Sequence, residues 1–254
     1  MKKRKLLSAL LILVFTGSIG LFAQTKSTEP SNEQKEAWKK AQEEQVHKDW
    51  ANLGRFRENN KQIGMPATGE KRIVFMGNSI TEGWSRLDSS FFSGKPYVNR
   101  GISGQTTPQM LIRFKPDVVN LKASVVVILA GINDIAGNTG PSTLEMIEDN
   151  LSSMVEIAQA NGIKVVLSSV LPAYDFPWRP GMEPAEKVVN LNIWIKNFAE
   201  SHKCVYLDYF TPMADMKHAL KSEYTQDGVH PNLDGYKIME PLVEEAIKEA
   251  LGSK

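Results

Sequence analysis

Four short apolar runs, each closing on a small or polar residue, constrain the fold of this chain more than any other feature. Ile73-Val74-Phe75-Met76 ends at Gly77, Val125–Leu129 at Ala130-Gly131, residues 163–167 at Ser168-Ser169, and Val205-Tyr206-Leu207 at Asp208. These runs are rich in β-branched residues and lack polar alternation, which is the mark of strands buried on both faces. Helical patterns separate them. Leu144, Ile147, Leu151, Val155 and Ala158 share one face behind a capping signal at Ser142 and Glu145, and Asn161-Gly162 stops that helix. Val188, Leu191, Ile195 and Phe198 form a second stripe that closes with His202 and Lys203. A last helical stretch covers 233–251, with a kink or restart expected at Pro241. Alternation of this kind predicts a parallel sheet with helices on both faces, and it puts chemistry in the loops after the carboxyl ends of the strands.

Composition narrows the classes. A chain of 254 residues with 42% hydrophobic and 23% charged side chains buries a sizeable core, which excludes a disordered, collagen-like or polytopic membrane protein. Lys and Arg number 30 against 29 Asp and Glu, so no electrostatic footprint for nucleic acid exists. Cys204 is the single cysteine, which rules out an internal disulfide and a cysteine zinc site.

The N-terminus reads as a secretory leader over 1–23: Lys2, Lys3, Arg4 and Lys5 precede an apolar run over 6–22, with cleavage expected after Ala23. A retained membrane anchor is the rival reading, since the run is near the lower limit for a span. No cysteine follows it, so lipid modification there is not expected. Without those four cations 26 basic side chains face 29 acidic ones, a net charge of −3, and the expected location is secreted or periplasmic. Residues 24–69 form a polar helical segment and linker, in which Val46, Trp50, Leu53 and Phe56 recur at helical spacing. That face is expected to pack on the domain at 70–254 rather than to form a coiled-coil arm, because no heptad pattern is sustained.

Four polar clusters fall where such a sheet places its chemistry. Ser79 lies directly beyond a buried strand, at a turn whose Gly77 permits tight backbone geometry. A serine becomes a nucleophile when a base, an anion orienting that base, and donors for the developing oxyanion surround it. Asp227 and His230 supply the pair: the carboxylate can hold its near neighbour's imidazole in the tautomer that takes a proton. His47, His202 and His218 sit in a charged segment, at a helix end and in a polar stretch, and are poorer bases. Asn133, after the strand that ends at Gly131, carries an amide able to donate to an oxyanion, and Gly101 offers an uncrowded N–H. Each cluster alone also reads as a turn or a cap. It is their combination and order that point to catalysis.

Taken together these blocks resemble the SGNH, or GDSL-type, hydrolase superfamily over roughly 72–250. Phe75-Met76-Gly77-Asn78-Ser79-Ile80-Thr81 resembles its nucleophile block and Asn99-Arg100-Gly101-Ile102-Ser103-Gly104 its glycine block. Gly131-Ile132-Asn133-Asp134 and Asp227-Gly228-Val229-His230-Pro231-Asn232 resemble the Gly-x-Asn-Asp and acid–histidine blocks. The resemblance implies a flavodoxin-like three-layer α/β/α sandwich and ester hydrolysis without metal or cofactor. It implies Ser79 as nucleophile, His230 as base and then acid, and Asp227 as its orienter. The Ser79 and Gly101 N–H groups and the Asn133 side chain would form the oxyanion hole. The family block reads Gly-Asp-Ser; here Asn78 replaces the aspartate, which changes the local charge without removing a triad member.

The substrate is less legible. Residues 171–181 should overhang the edge that bears Ser79 and bring Tyr174, Trp178 and Arg179 to it, with Trp84 a further candidate for the pocket wall. Aromatic faces suit sugar rings and a guanidinium suits carboxylates or hydroxyls, although the same residues can simply pin the loop. The expectation is a small acyl ester, chiefly an acetyl ester of a carbohydrate. A lysophospholipase or thioesterase activity, or a non-catalytic carbohydrate-binding role, stands as the alternative. No Walker loop, dinucleotide fingerprint, zinc-protease helix or Gly-x-Ser-x-Gly elbow is present. Nucleic-acid partners and an integral membrane role after leader cleavage are not expected.

Overall fold

A computed structural model of the chain describes residues 31–252, so the expected leader lies outside the described residues. The chain divides into two units, 1–41 and 42–254. The boundary therefore falls inside the segment read as one N-terminal piece, and residues from 42 onward belong with the catalytic domain. A helix, α1 (Asn32–Lys48), is followed by α2 (Arg57–Ile63). The helical spacing of Trp50, Leu53 and Phe56 does not become one helix. The Asp49 carboxylate takes the N–H groups of Leu53 and Gly54 at 2.8 and 2.7 Å, and Asn52 turns the chain at φ 55°, so a tight turn replaces it.

The second unit is built on five parallel strands: β1 (Ile73–Gly77), β2 (Tyr97–Gly101), β3 (Val125–Leu129), β4 (Lys164–Ser168) and β5 (Val205–Leu207), in the order β2-β1-β3-β4-β5. β1 and β3 are buried along their whole length, which accounts for their unbroken apolar sequence. β2 escaped the sequence reading because it is an edge strand, and the half-exposed Tyr97 and Asn99 give it a polar composition.

Helices α3 (Ser79–Leu87) and α7 (Leu233–Gly252) pack on one face, joined where Trp84 stacks on Tyr236 at 5.3 Å. Helices α4 (Thr107–Phe114), α5 (Leu144–Ala160) and α6 (Ala185–Ser201) cover the other, completing the flavodoxin-like three-layer sandwich expected. Thr143, not Ser142, caps α5, its hydroxyl accepting from the Met146 N–H at 3.3 Å. α7 continues through Pro241 without a restart.

The strand order reverses at β1. The chain leaves β1 towards β2 and then returns to place β3 on the other side, and ligands of open α/β sheets bind at such switch points. The register aligns Gly77 with Gly101 and with Leu129, so the loops after β1, β2 and β3 open side by side. Those loops carry Ser79, Gly101 to Gly104, and Asn133.

Candidate active site

β1 delivers Ser79 to the first position of α3. Asn78 caps that helix, its Oδ1 accepting from the Ile80 N–H at 3.1 Å. An amide keeps this capping oxygen just as a carboxylate would, so the departure from Gly-Asp-Ser leaves the turn intact. The Ser79 N–H is among those with no partner inside the helix, and it lies at the positive end of the helix dipole.

His230 and Asp227 come from the loop that precedes α7, closed by a bridge between Thr225 and Pro231. Thr225 is a clasp that the sequence reading missed. Its hydroxyl donates to the His230 carbonyl at 2.8 Å and accepts from the Gly228 N–H at 3.0 Å. Asp227 Oδ1 accepts from the Val229 and His230 N–H groups at 2.9 and 2.8 Å, which frees Oδ2 for the ring. His230 Nδ1 donates to Asp227 Oδ2 at 2.7 Å, and His230 Nε2 lies 2.9 Å from Ser79 Oγ. With Nδ1 as donor, Nε2 carries the lone pair that accepts the serine proton. Partial burial pushes the Asp227 carboxyl up, but the amide and ring of His230 and the Val229 amide together hold it below the usual carboxylate range. Asp227 is therefore an anion at neutral pH, as an orienter of the imidazole must be.

The donors for an oxyanion need one correction. The Gly101 N–H already donates to Asn99 Oδ1 at 2.8 Å. Gly101 is a glycine because a Cβ there would strike the backbone of Thr81 and Glu82 in α3. Its requirement is close packing, and its amide is spent. Gly104, three residues on, is exposed at φ 77°, and its N–H has no hydrogen bond among the described residues. Asn133 is buried, and its Nδ2 donates one proton to the Gln105 carbonyl at 2.9 Å, leaving the second.

Two buried residues hold this edge together. Arg113, fully buried on α4, donates to the Gly77 carbonyl at 3.0 Å, to Gln105 Oε1 at 2.5 Å and to Asp117 Oδ2 at 3.1 Å. It thereby ties the strand end that launches Ser79 to the residue that receives Asn133. Burial pulls its guanidinium down to about 10, with Asp117 opposing, so it stays charged at neutral pH. Asp134 accepts from the Thr107 N–H at 3.0 Å and from the Thr107 hydroxyl at 2.6 Å, anchoring the start of α4 beneath the Gly104 loop.

Burial raises the Asp134 carboxyl from 3.8 to about 6. The native state then holds a proton that the unfolded chain has released. This contribution to stability is fully present below about pH 4 and is lost as the pH rises through 6; the shift corresponds to about 3 kcal/mol. Asp227, held low, acts in the opposite direction, so the group has to be isolated by difference. We expect Asp134→Asn to remove a fall of this size between pH 4 and 7, measured as the difference between the urea-denaturation profiles of the two proteins. Parallel profiles across that window would contradict it.

Of the residues expected to meet substrate, Trp178 lies beside the His230 ring. Its ring centroid is 5.9 Å from that of His230 and it stacks on Phe176 at 5.2 Å. Tyr174 is exposed and lines a hollow together with Asp227 and Gly228. Arg179 serves the loop itself: its Nη1 donates to the carbonyls of Ala136 and Gly137 at 2.5 and 3.1 Å. Trp84 is no wall residue. It is 2% exposed and sandwiched between Phe91 at 4.8 Å and Tyr236 at 5.3 Å, because the phase of α3 turns it into the core. Among the described residues no cluster of side chains could hold a metal, and no helix is long and apolar enough to cross a membrane.

The loop after β2 and the helices α3 and α4 are also bound to the N-terminal turn. Gln105 Nε2 donates to the Ala51 carbonyl at 2.8 Å and Gln109 Nε2 to the Trp50 carbonyl at 2.7 Å. Arg55 pairs with Glu82 at 3.1 Å, and Glu82 in turn accepts from the Ser103 N–H at 3.0 Å.

Comparison with known proteins matches residues 75–238 to the model of the GDSL-like lipase/acylhydrolase family. A GDSL-like lipase of Bacteroides thetaiotaomicron is 47% identical and superposes with a TM-score of 0.78, covering 80% of this chain and all of its own. An acetylxylan esterase of Xylanibacter ruminicola is 25% identical over 228 residues, 74% of this chain and 45% of that protein. An uncharacterized lipoprotein of Bacillus subtilis, YqeF, is 33% identical over 126 residues, 43% of this chain and 52% of that protein. The chain spans about half the length of the curated relatives it matches. The match runs from the strand that delivers Ser79 to the helix behind His230, and on it the chain belongs to the GDSL-like lipase/acylhydrolase family.

Proposed function

We propose that the protein is a serine esterase that removes small acyl groups, acetyl above all, from a carbohydrate. The continuous relay from Ser79 Oγ through His230 to Asp227, at 2.9 and 2.7 Å, carries this reading. As Ser79 Oγ attacks the ester carbonyl carbon, its proton passes to His230 Nε2, and Asp227 stabilises the imidazolium. The carbonyl oxygen becomes an oxyanion received by the N–H groups of Ser79 and Gly104 and the second Nδ2 proton of Asn133. Collapse breaks the bond to the alcohol oxygen, which takes the proton from His230, and Ser79 is left acylated. Water, deprotonated by the same ring, releases the acid and restores the serine.

Three observations favour a small acyl group on a sugar. Trp178 offers an aromatic face beside His230. The cleft nearby includes Ser103, Gln105, Asn138 and Thr139, polar groups that suit a sugar better than a long acyl chain. The Xylanibacter relative is named for acetylxylan. The leader over 1–23 and the lipoprotein relative support export.

On a panel of p-nitrophenyl esters, kcat/KM is expected to be highest for acetate and to fall as the acyl chain lengthens. A maximum at long chains would replace this reading with a lysophospholipase- or thioesterase-type activity.

A further inference from the structure

We infer that the N-terminal turn at 49–52 is part of the substrate site, and that the cleft between Trp50 and Trp178 holds the carbohydrate from which the acyl group is removed. For the identity of its ligand the inference rests on the esterase reading; the cleft itself does not.

The cleft has a volume of about 530 Å³ and is lined by Asp49, Trp50 and Asn52 of the N-terminal turn together with Asn138, Thr139 and Trp178. That volume lies within the range of about 300–1,000 Å³ typical of sites for drug-sized ligands, and it exceeds what an acetyl group needs. It joins the reaction centre at two points. Gly104, whose free N–H serves the oxyanion, lies on its floor, and Trp178 reaches from its wall to His230. An alcohol leaving His230 on the Trp178 side therefore passes into this cleft.

The chemistry of the walls selects the occupant. Trp50 and Trp178 are 38% and 46% exposed, two large aromatic surfaces left facing solvent at one cleft. The rest of the lining combines Ile102 and Gly104 with carboxylate, amide and hydroxyl groups. An acyl chain or an alkyl alcohol lying there would strip water from those groups and return no hydrogen bond. A polyol satisfies both demands, because its ring faces stack on indole while its hydroxyls meet polar groups.

The walls are also set before anything binds. Asp49 is fixed by the two N–H groups it accepts, the Trp50 carbonyl by Gln109, and Asn138 by donation to the Gly104 carbonyl at 3.1 Å. A site fixed in this way loses little freedom on binding. It also gives the N-terminal turn a reason to be tied to the oxyanion loop.

The test uses the full chain in two arms. In the first, kcat/KM is measured for acetylated xylo-oligosaccharides and for p-nitrophenyl acetate, which has no sugar. We expect Trp50→Ala to lower the ratio of the two by tenfold or more, and Trp50→Phe, which keeps an aromatic face, to restore most of it. In the second, calorimetry follows xylo-oligosaccharides, without their acetyl groups, binding to Ser79→Ala and to Ser79→Ala/Trp50→Ala. Saturable binding in the first and its loss in the second supports the inference, even if the wild type were to hydrolyse no ester, which would defeat the esterase reading alone. An unchanged ratio in Trp50→Ala, or no binding to Ser79→Ala, overturns it.

Discussion

Ser79→Ala is expected to lower ester turnover by about 10⁴–10⁶-fold while leaving the protein folded. The size follows from what one oxygen does in the site. In the proposed mechanism Ser79 Oγ forms the bond to the acyl carbon, and His230 and Asp227 act through it. The donors at Ser79, Gly104 and Asn133 survive the substitution, so a residual rate carried by water persists. The structural cost is small: a half-buried hydroxyl and one hydrogen bond, about 1 kcal/mol. Turnover on p-nitrophenyl acetate, read beside the thermal transition of both proteins, separates lost chemistry from lost fold. A variant within tenfold of the wild type would remove Ser79 from the mechanism.

The second large effect is on stability. Arg113→Met is expected to cost about 3–5 kcal/mol, because it strands a buried charge rather than removing a pair. Asp117 is 3% exposed and would keep the Asn60 amide at 2.8 Å and the more distant Arg100 charge, while Gln105 Oε1 would lose its donor. Arg113→Lys should recover part of this, since one ammonium cannot span three acceptors held by a planar fork. In whatever fraction folds, kcat should fall more than KM rises, because Gly77 and Gln105 set the spacing between nucleophile and oxyanion donors and not the binding of the ester. Urea midpoints and steady-state constants for the three proteins check this. A loss below 1 kcal/mol in Arg113→Met would show that the guanidinium holds nothing together.

What the sequence made legible follows from burial. β1 and β3 lie in the middle of the sheet, so their apolar runs leave no other reading, whereas β2 at the edge satisfied its exposed side with Tyr97 and Asn99 and passed for a loop. Ser79 and the Asp227–His230 pair, which the fold brings within hydrogen-bond reach, were legible as candidates because each sits in a short local motif. The proposed second oxyanion donor, Gly104, was not. Both glycines stand in the same block, and only the hydrogen bond from Gly101 to Asn99 reveals which amide is spent. Proximity in sequence misled at Trp84, five residues from Ser79, because the turn of α3 sends that ring into a cluster with Phe75, Phe91 and Tyr236. Distance in sequence hid Trp50, which reaches the cleft only because Asp49 breaks the helix that its apolar spacing suggested.

The most direct measurement is to trap the acyl-enzyme. Wild-type protein mixed with p-nitrophenyl acetate and quenched in acid before the steady state should carry a single acetyl group, and peptide mass spectrometry should place it on Ser79. The Ser79→Ala protein should carry none. An acetyl group on another side chain, or steady hydrolysis by Ser79→Ala at the wild-type rate, would contradict the account.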